Sequence, residues 1–161
     1  MAKKEKEVKT NAMRQLDKGK IAYTPHTYEC TEFTDGAQIA DTLGQDHKKV
    51  YKTLVTVGKS KEHYVFVLPI DEEIDFKKAA KCVGEKSLEM LPLKELTPLT
   101  GYVRGGCTSI GMKKQFPTVF QEDILALPTV LVSGGKLGLQ LELAPADLIR
   151  AARGKTGDFI V

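Results

Sequence analysis

The chain has no tryptophan, only three cysteines, and no stretch near the roughly 18 apolar residues that a membrane span requires. Each absence removes a class of protein. Cys30, Cys82 and Cys107 are odd in number and widely spaced, with no C-x-x-C pair and no histidine at zinc-ligand separation, so neither a disulfide framework nor a metal site is expected. The run Met1-Ala-Lys-Lys-Glu-Lys-Glu-Val-Lys9 lacks the apolar segment of a signal peptide. The expected setting is therefore cytoplasmic, with reduced thiols and no membrane contact. Excess charge of one sign is also missing. A formal net charge of +3 allows local contact with a phosphate backbone, but proteins that hold nucleic acid by charge alone carry a denser basic stripe.

What is present is globular. At 161 residues the chain fits one domain able to bury roughly two thirds of its unfolded surface. Residues 1–8 read as a flexible charged leader. Val8, Ala12, Met13 and Leu16 recur at helical spacing, and Gly19 is placed to close that helix in a left-handed cap. Ile21 to Tyr28 reads as a strand that Pro25 confines to an edge. Thr34 stands where it can cap a helix over Asp35 to Leu43. Val50 to Val57 and His63 to Leu68 form a predicted hairpin, and Asp75 caps a predicted helix ending at Gly84. Lys86 to Met90 reads as a strand and Pro92 to Leu99 as a helix. A short strand at Thr118 to Phe120 precedes a helical turn over Glu122 to Leu127. Thr129 to Ser133 and Leu137 to Leu143 flank Gly134-Gly135, which favours a two-residue hairpin turn. Pro145 to Ala152 closes as a helix. Interleaved elements with hairpin-joined strands predict one mixed α/β domain around a curved, barrel-like mixed sheet with short surrounding helices.

Three features carry chemistry. Period two along Val50 to Val57 puts Val50, Lys52 and Leu54 on one face and Tyr51, Thr53, Val55 and Val57 on the other. Both faces are largely apolar, so Lys52 either meets a polar partner or snorkels to water. Gly101-Tyr-Val-Arg-Gly-Gly-Cys-Thr-Ser-Ile-Gly111 lacks Walker and dinucleotide spacing. It reads either as an anion cradle, because clustered glycines let successive amides converge, or as a surface turn. Ser133-Gly-Gly-Lys136 explains itself as a hairpin and gains meaning only if it packs near the first loop. Cys107 invites pairing with His26, His47 or His63, although no local signature supports a nucleophile. The acidic run Asp71, Glu72, Glu73 and Asp75 reads as a solvated loop and cap.

These motifs resemble those of the bacterial YbaK/EbsC family, free-standing Cys-tRNA(Pro) deacylases related to the editing domain inserted in prolyl-tRNA synthetases. The resemblance runs from about Met13 to Ile160. It rests on His26-Thr-Tyr28, Phe33, Tyr51-Lys-Thr-Leu54, Phe76-Lys-Lys-Ala-Ala-Lys81, Gly101-Tyr-Val-Arg-Gly-Gly106, Gly111-Met-Lys-Lys114, Val132-Ser-Gly-Gly-Lys136 and Leu143-Ala-Pro-Ala-Asp-Leu148. It implies a single editing domain over residues 1–161 that hydrolyses the ester of a misacylated tRNA, with Cys-tRNA(Pro) as the expected substrate. Ala-tRNA(Pro) deacylation and non-catalytic nucleotide or RNA binding are the alternatives. Lys52 matches the family's essential lysine. Tyr28, Phe33, Thr53, Gly105, Gly106, Thr108, Ser133, Gly134 and Gly135 fall at substrate-binding positions. Arg104, Lys113, Lys114 and Lys136 are the expected tRNA contacts. The family implies no cofactor, metal or protein nucleophile, because the substrate's own thiol or ribose hydroxyl takes part. Prolyl-tRNA synthetase is the expected partner. Thr108-Ser109 departs from the family's usual Ser-Pro pair and removes the φ lock that proline supplies.

Overall fold

The computed structural model describes residues 9–161, so the expected charged leader over residues 1–8 lies outside the described residues. In chain order the elements are α1 (Asn11–Lys18), β1 (Thr24–Thr27), α2 (Gly36–Leu43), β2 (Tyr51–Gly58), β3 (His63–Pro69), α3 (Phe76–Val83), β4 (Leu88–Met90), α4 (Leu93–Thr100), β5 (Thr118–Gln121), β6 (Val130–Ser133), β7 (Leu139–Leu143), α5 (Pro145–Ala152) and β8 (Lys155–Gly157). Short 3₁₀ turns occupy His47–Lys49 and Glu122–Ala126. None of the described helices is long and apolar enough to cross a membrane.

The fold is mixed α/β, but its strands form two sheets rather than one curved sheet, and no closed barrel forms among the described residues. One sheet is antiparallel, in the order β1-β7-β6; the other is mixed, in the order β4-β2-β3-β5-β8. A single parallel bridge between Val50 and Leu131 joins them. Sequence pattern predicts strands well and their partition poorly, because which edge meets which depends on contacts far apart in the chain.

The larger sheet is covered on both faces, which explains the unbroken apolar run in β3. Val65 and Val67 point into the main core with α1, α5 and the smaller sheet. Phe66 and Leu68 point into a second core built on Ala79 and Ala80 of α3 and Phe159. All four of these β3 residues are fully buried, each contributing about 1.5–3 kcal/mol of apolar transfer.

Local chemistry sets most boundaries. Asp75 accepts hydrogen bonds from the Lys77 and Lys78 amides, and Gly84 closes α3 at φ 75°, where a glycine carries no Cβ strain. Pro25 sits on the edge strand β1, as a residue without an N–H must. Other expectations need correction. Gly19 ends α1 at φ −82°, and Lys20 takes the positive φ of 57° instead. The β6–β7 hairpin pairs Ser133 with Gln140, so Gly134-Gly135 opens a longer loop through Gly138 rather than a two-residue turn. Its shape is fixed from outside: the Thr10 hydroxyl donates to the Gly134 carbonyl at 2.6 Å. The polar strand β8 was not expected; it pairs parallel with β5.

Candidate functional site

The beginning of β2 forms one wall of a half-enclosed cavity of about 260 Å³. Val50 to Leu54 supply that wall. Facing it are Tyr28 and Phe33 from the segment after β1, Asp35 and Gly36 at the start of α2, and Arg104, Gly105 and Cys107 of the first glycine loop. Val132 and Ser133 of β6 and Gln140 of β7 complete it, with Ile39 and Ile70 as apolar lining.

Of the residues singled out in the sequence, the cavity brings together Lys52, Thr53, Tyr28, Phe33, Gly105, Ser133 and Arg104. Lys52 does not escape to bulk water. It is half-buried, and its ammonium has no hydrogen bond or ion pair among the described residues. Burial pulls its ammonium below the ordinary lysine value, while Asp35, Glu73, Asp71 and Glu72 push it back up by through-space attraction. A cation held that way retains unused capacity for an anionic or polar ligand.

The two glycine loops converge. A Cβ on Gly106 would lie 2.9 Å from the Lys136 Cα, and one on Gly105 would lie 2.9 Å from Leu137 Cδ2 and 3.0 Å from Phe33 Cδ1. Only glycine permits this contact, and Gly105 also needs its φ of 87°. Convergence does not leave two sets of bare amides, however. The Gly106 amide donates to the Val103 carbonyl at 2.9 Å and the Gly134 amide to the Leu139 carbonyl at 2.9 Å. The Gly135 amide donates to the Ser133 hydroxyl at 3.2 Å. Gly106, Gly134 and Gly135 therefore shape the site from behind its wall. Gly105 is the loop glycine that lines the cavity, and its amide donates no hydrogen bond among the described residues.

Thr108 lies fully buried behind the loop rather than in the cavity wall. Its hydroxyl and that of Ser109 have no hydrogen-bond partner among the described residues. Lys113, Lys114 and Lys136 are exposed and outside the cavity. Lys113 lies along Gly101 and donates to the Pro98 carbonyl at 3.2 Å. Arg104 stands over the Phe33 ring, 3.9 Å from its centroid, a cation–π pair at the cavity edge.

Cys107 lines the cavity, yet burial pushes its thiol up to about 12. No histidine reaches it as a base. His26 bonds Glu142 at 2.9 Å, His47 is held between Asp41 at 2.7 Å and Asp71 at 2.9 Å, and His63 packs edge-on against Phe116. Among the described residues, no three His, Cys, Asp or Glu side chains gather where they would hold a metal ion.

Asp35 and Gln140 are among the cavity residues that the sequence reading did not name as such. Asp35 read as the first residue of a helix. Gln140 forms a reciprocal amide pair with Gln45, at 2.6 and 3.2 Å. Its signal was the alternation Leu139-Gln-Leu-Glu-Leu143, which turns Gln140 and Glu142 away from the main core.

Residues 32–151 match the family model described as an aminoacyl-tRNA editing domain. A protein of Enterococcus faecalis named "Putative Cys-tRNA(Pro)/Cys-tRNA(Cys) deacylase EbsC" is 44% identical over 99% of this chain and 98% of its own length. A crystal structure of "a putative trans-editing enzyme for prolyl tRNA synthetase" superposes with a TM-score of 0.80 at 23% identity, covering 96% of this chain and 99% of that one. A hypothetical protein superposes at 0.85 and 20% identity over 94% and 99% of the two chains. The two structures show a shared fold. The chain belongs to the aminoacyl-tRNA editing domain family. Within that class it is an aminoacyl-tRNA deacylase of the YbaK/EbsC type.

Proposed function

We propose that the whole chain acts as one editing domain in the cytoplasm, hydrolysing the ester of misacylated proline tRNA in trans, with Cys-tRNA(Pro) as its principal substrate. The observation that carries this reading is the company Lys52 keeps: an unpaired, half-buried ammonium in one small cavity with an unused amide at Gly105 and a hydroxyl at Ser133. That set can bind and polarise an activated ester. It contains no assembled nucleophile and base, since the Cys107 thiol is protonated near neutral pH and the three histidines are engaged elsewhere.

In this scheme Lys52 grips the phosphate or ribose of the terminal adenosine. The Gly105 amide faces the reacting carbonyl and stabilises the oxyanion that develops there; one well-aimed donor is worth roughly 3 to 4 kcal/mol in the transition state. The substrate supplies its own assisting group, the cysteine thiol or the ribose hydroxyl, and water ends the reaction as the acyl acceptor. Placement then does most of the catalysis. Arg104 at the cavity edge, with the exposed Lys113, Lys114 and Lys136, steers the single-stranded acceptor end. The modest net charge of +3 leaves selection of the tRNA body to a partner, prolyl-tRNA synthetase.

The need for a second sieve follows from magnitudes. Cysteine enters a pocket built for proline, and a difference of about one methylene gives only ~1 to 3 kcal/mol of discrimination. Deacylation assays with Cys-, Ala- and Pro-tRNA(Pro) test the proposal. Hydrolysis of the cysteinyl ester with the prolyl ester spared is expected. Preference for the alanyl ester would reassign the substrate, and hydrolysis of none would remove the catalytic reading.

A further inference from the structure

Four helical segments begin beside a residue with a capping side chain, and three of those side chains do the capping. Thr10 accepts from the Met13 amide, Asp46 from the Lys48 amide, and Asp75 from the Lys77 and Lys78 amides. Asp35 holds the same position before α2, with φ −58° and ψ 135°, but its carboxylate caps nothing. That carboxylate takes part in no hydrogen bond or ion pair among the described residues. Instead it lines the cavity, where it is the only carboxylate among the described residues.

Its placement is built in. A Cβ on the next residue, Gly36, would lie 2.3 Å from Ile70 Cδ1, so the start of α2 is pressed against the end of β3. Lys52 pairs with Leu68 on that same strand. The cavity thus carries a carboxylate on the α2 side and an ammonium on the β2 side, and the two do not form an ion pair with each other among the described residues.

An aminoacylated adenosine has the matching pattern. Its phosphodiester is anionic, and its free α-amino group, with a reference pKa of about 7.7–8.0, is substantially cationic near neutral pH. We infer that Asp35 binds the α-ammonium group of the aminoacyl ester, so that the site selects an amino acid whose amino group is free. This rests on the deacylase reading and adds a specificity to it. With the ammonium held at Asp35 and the phosphate side at Lys52, the ester carbonyl is drawn between the two, in the cavity that Gly105 also lines. An acyl group that lacks the charge, such as an N-acylated residue, loses one of the two anchors.

The test compares Cys-tRNA(Pro) with its Nα-acetyl form in single-turnover deacylation by the wild type, Asp35→Asn and Asp35→Glu. Asp35 is exposed and makes no cap bond, so far-UV circular dichroism is expected to be unchanged in both variants. The wild type should favour the free amine. Asp35→Asn should lose about tenfold or more on that substrate, the scale of a hydrogen bond to a charged group, with its rate on the acetylated ester unaltered; Asp35→Glu should recover part of the loss. Equal losses on both esters would make Asp35 a general base or a scaffold residue and overturn the assignment, as would no loss on either. A wild type inactive on both esters would instead bring down the deacylase reading, and the assignment with it.

Discussion

Gly106 and Lys136 touch backbone to backbone: a Cβ on Gly106 would stand 2.9 Å from the Lys136 Cα and 3.1 Å from its carbonyl carbon. No flexible side-chain end is available to yield. Gly106→Ala must therefore push the two loops apart, at a cost of about 1–3 kcal/mol for an overpacked buried site. Thermal unfolding should fall and deacylation should fall further, because Gly105 and Ser133 sit on the separated loops. A variant with lowered stability and full activity would show that loop contact does not set the site.

Glu142 does not line the cavity and gives a separate pH signature. Hydrogen bonds from Lys49, Thr129 and His26 hold its carboxyl down at about 2. A depressed folded value means the stabilisation is present above the unfolded value of about 4.3 and is lost as pH falls towards 2. With its side chain a quarter exposed, its worth is no more than about 2 kcal/mol. Glu142→Gln should lower stability at pH 7 and flatten the stability curve between about pH 2 and 5, measured by denaturant unfolding.

Arg104 is exposed and stacked on Phe33, so its removal should spare the fold. If it contacts one phosphate of the acceptor end, Arg104→Ala weakens tRNA binding and lowers the slope of log affinity against log salt by about 0.7. Binding titrations at several salt concentrations read both quantities.

The Cys107 thiol is pushed up to about 12 by burial, and the three histidines that could serve it as a base are engaged elsewhere. Cys107→Ser is expected to keep most of the deacylase activity, and alkylating reagents should leave the wild type active at pH 7. Loss of activity comparable to removing Lys52 would restore the cysteine hydrolase reading.

Local features proved the most legible in the sequence. The break that Lys52 makes in an apolar period-two strand pointed to the cavity, and Asp75 with Gly84 bounded α3 because cap and terminator act within a few residues. What escaped was set at long range. The split into two sheets turns on one bridge between Val50 and Leu131. The length of the β6–β7 loop depends on Thr10, a residue from the other end of the chain. Occupation of the Gly106, Gly134 and Gly135 amides followed from turn geometry that glycine clustering alone does not specify. Asp35 read as the first residue of a helix capped by Thr34, whereas it holds the cap position itself and its carboxylate caps nothing.

The role of Lys52 admits the most direct test. Its lowered folded value means the buried charge costs stability at every pH below that value, a cost relieved as pH rises towards the unfolded one. Lys52→Met keeps the stem and removes the charge, so the variant should unfold on the order of 2–4 °C higher for each kcal/mol recovered. Single-turnover hydrolysis of Cys-tRNA(Pro) by this variant is predicted to fall at least about 100-fold, the loss typical of an electrostatic stabilising group. A Lys52→Met protein that is folded and hydrolyses the ester at the wild-type rate would contradict the account.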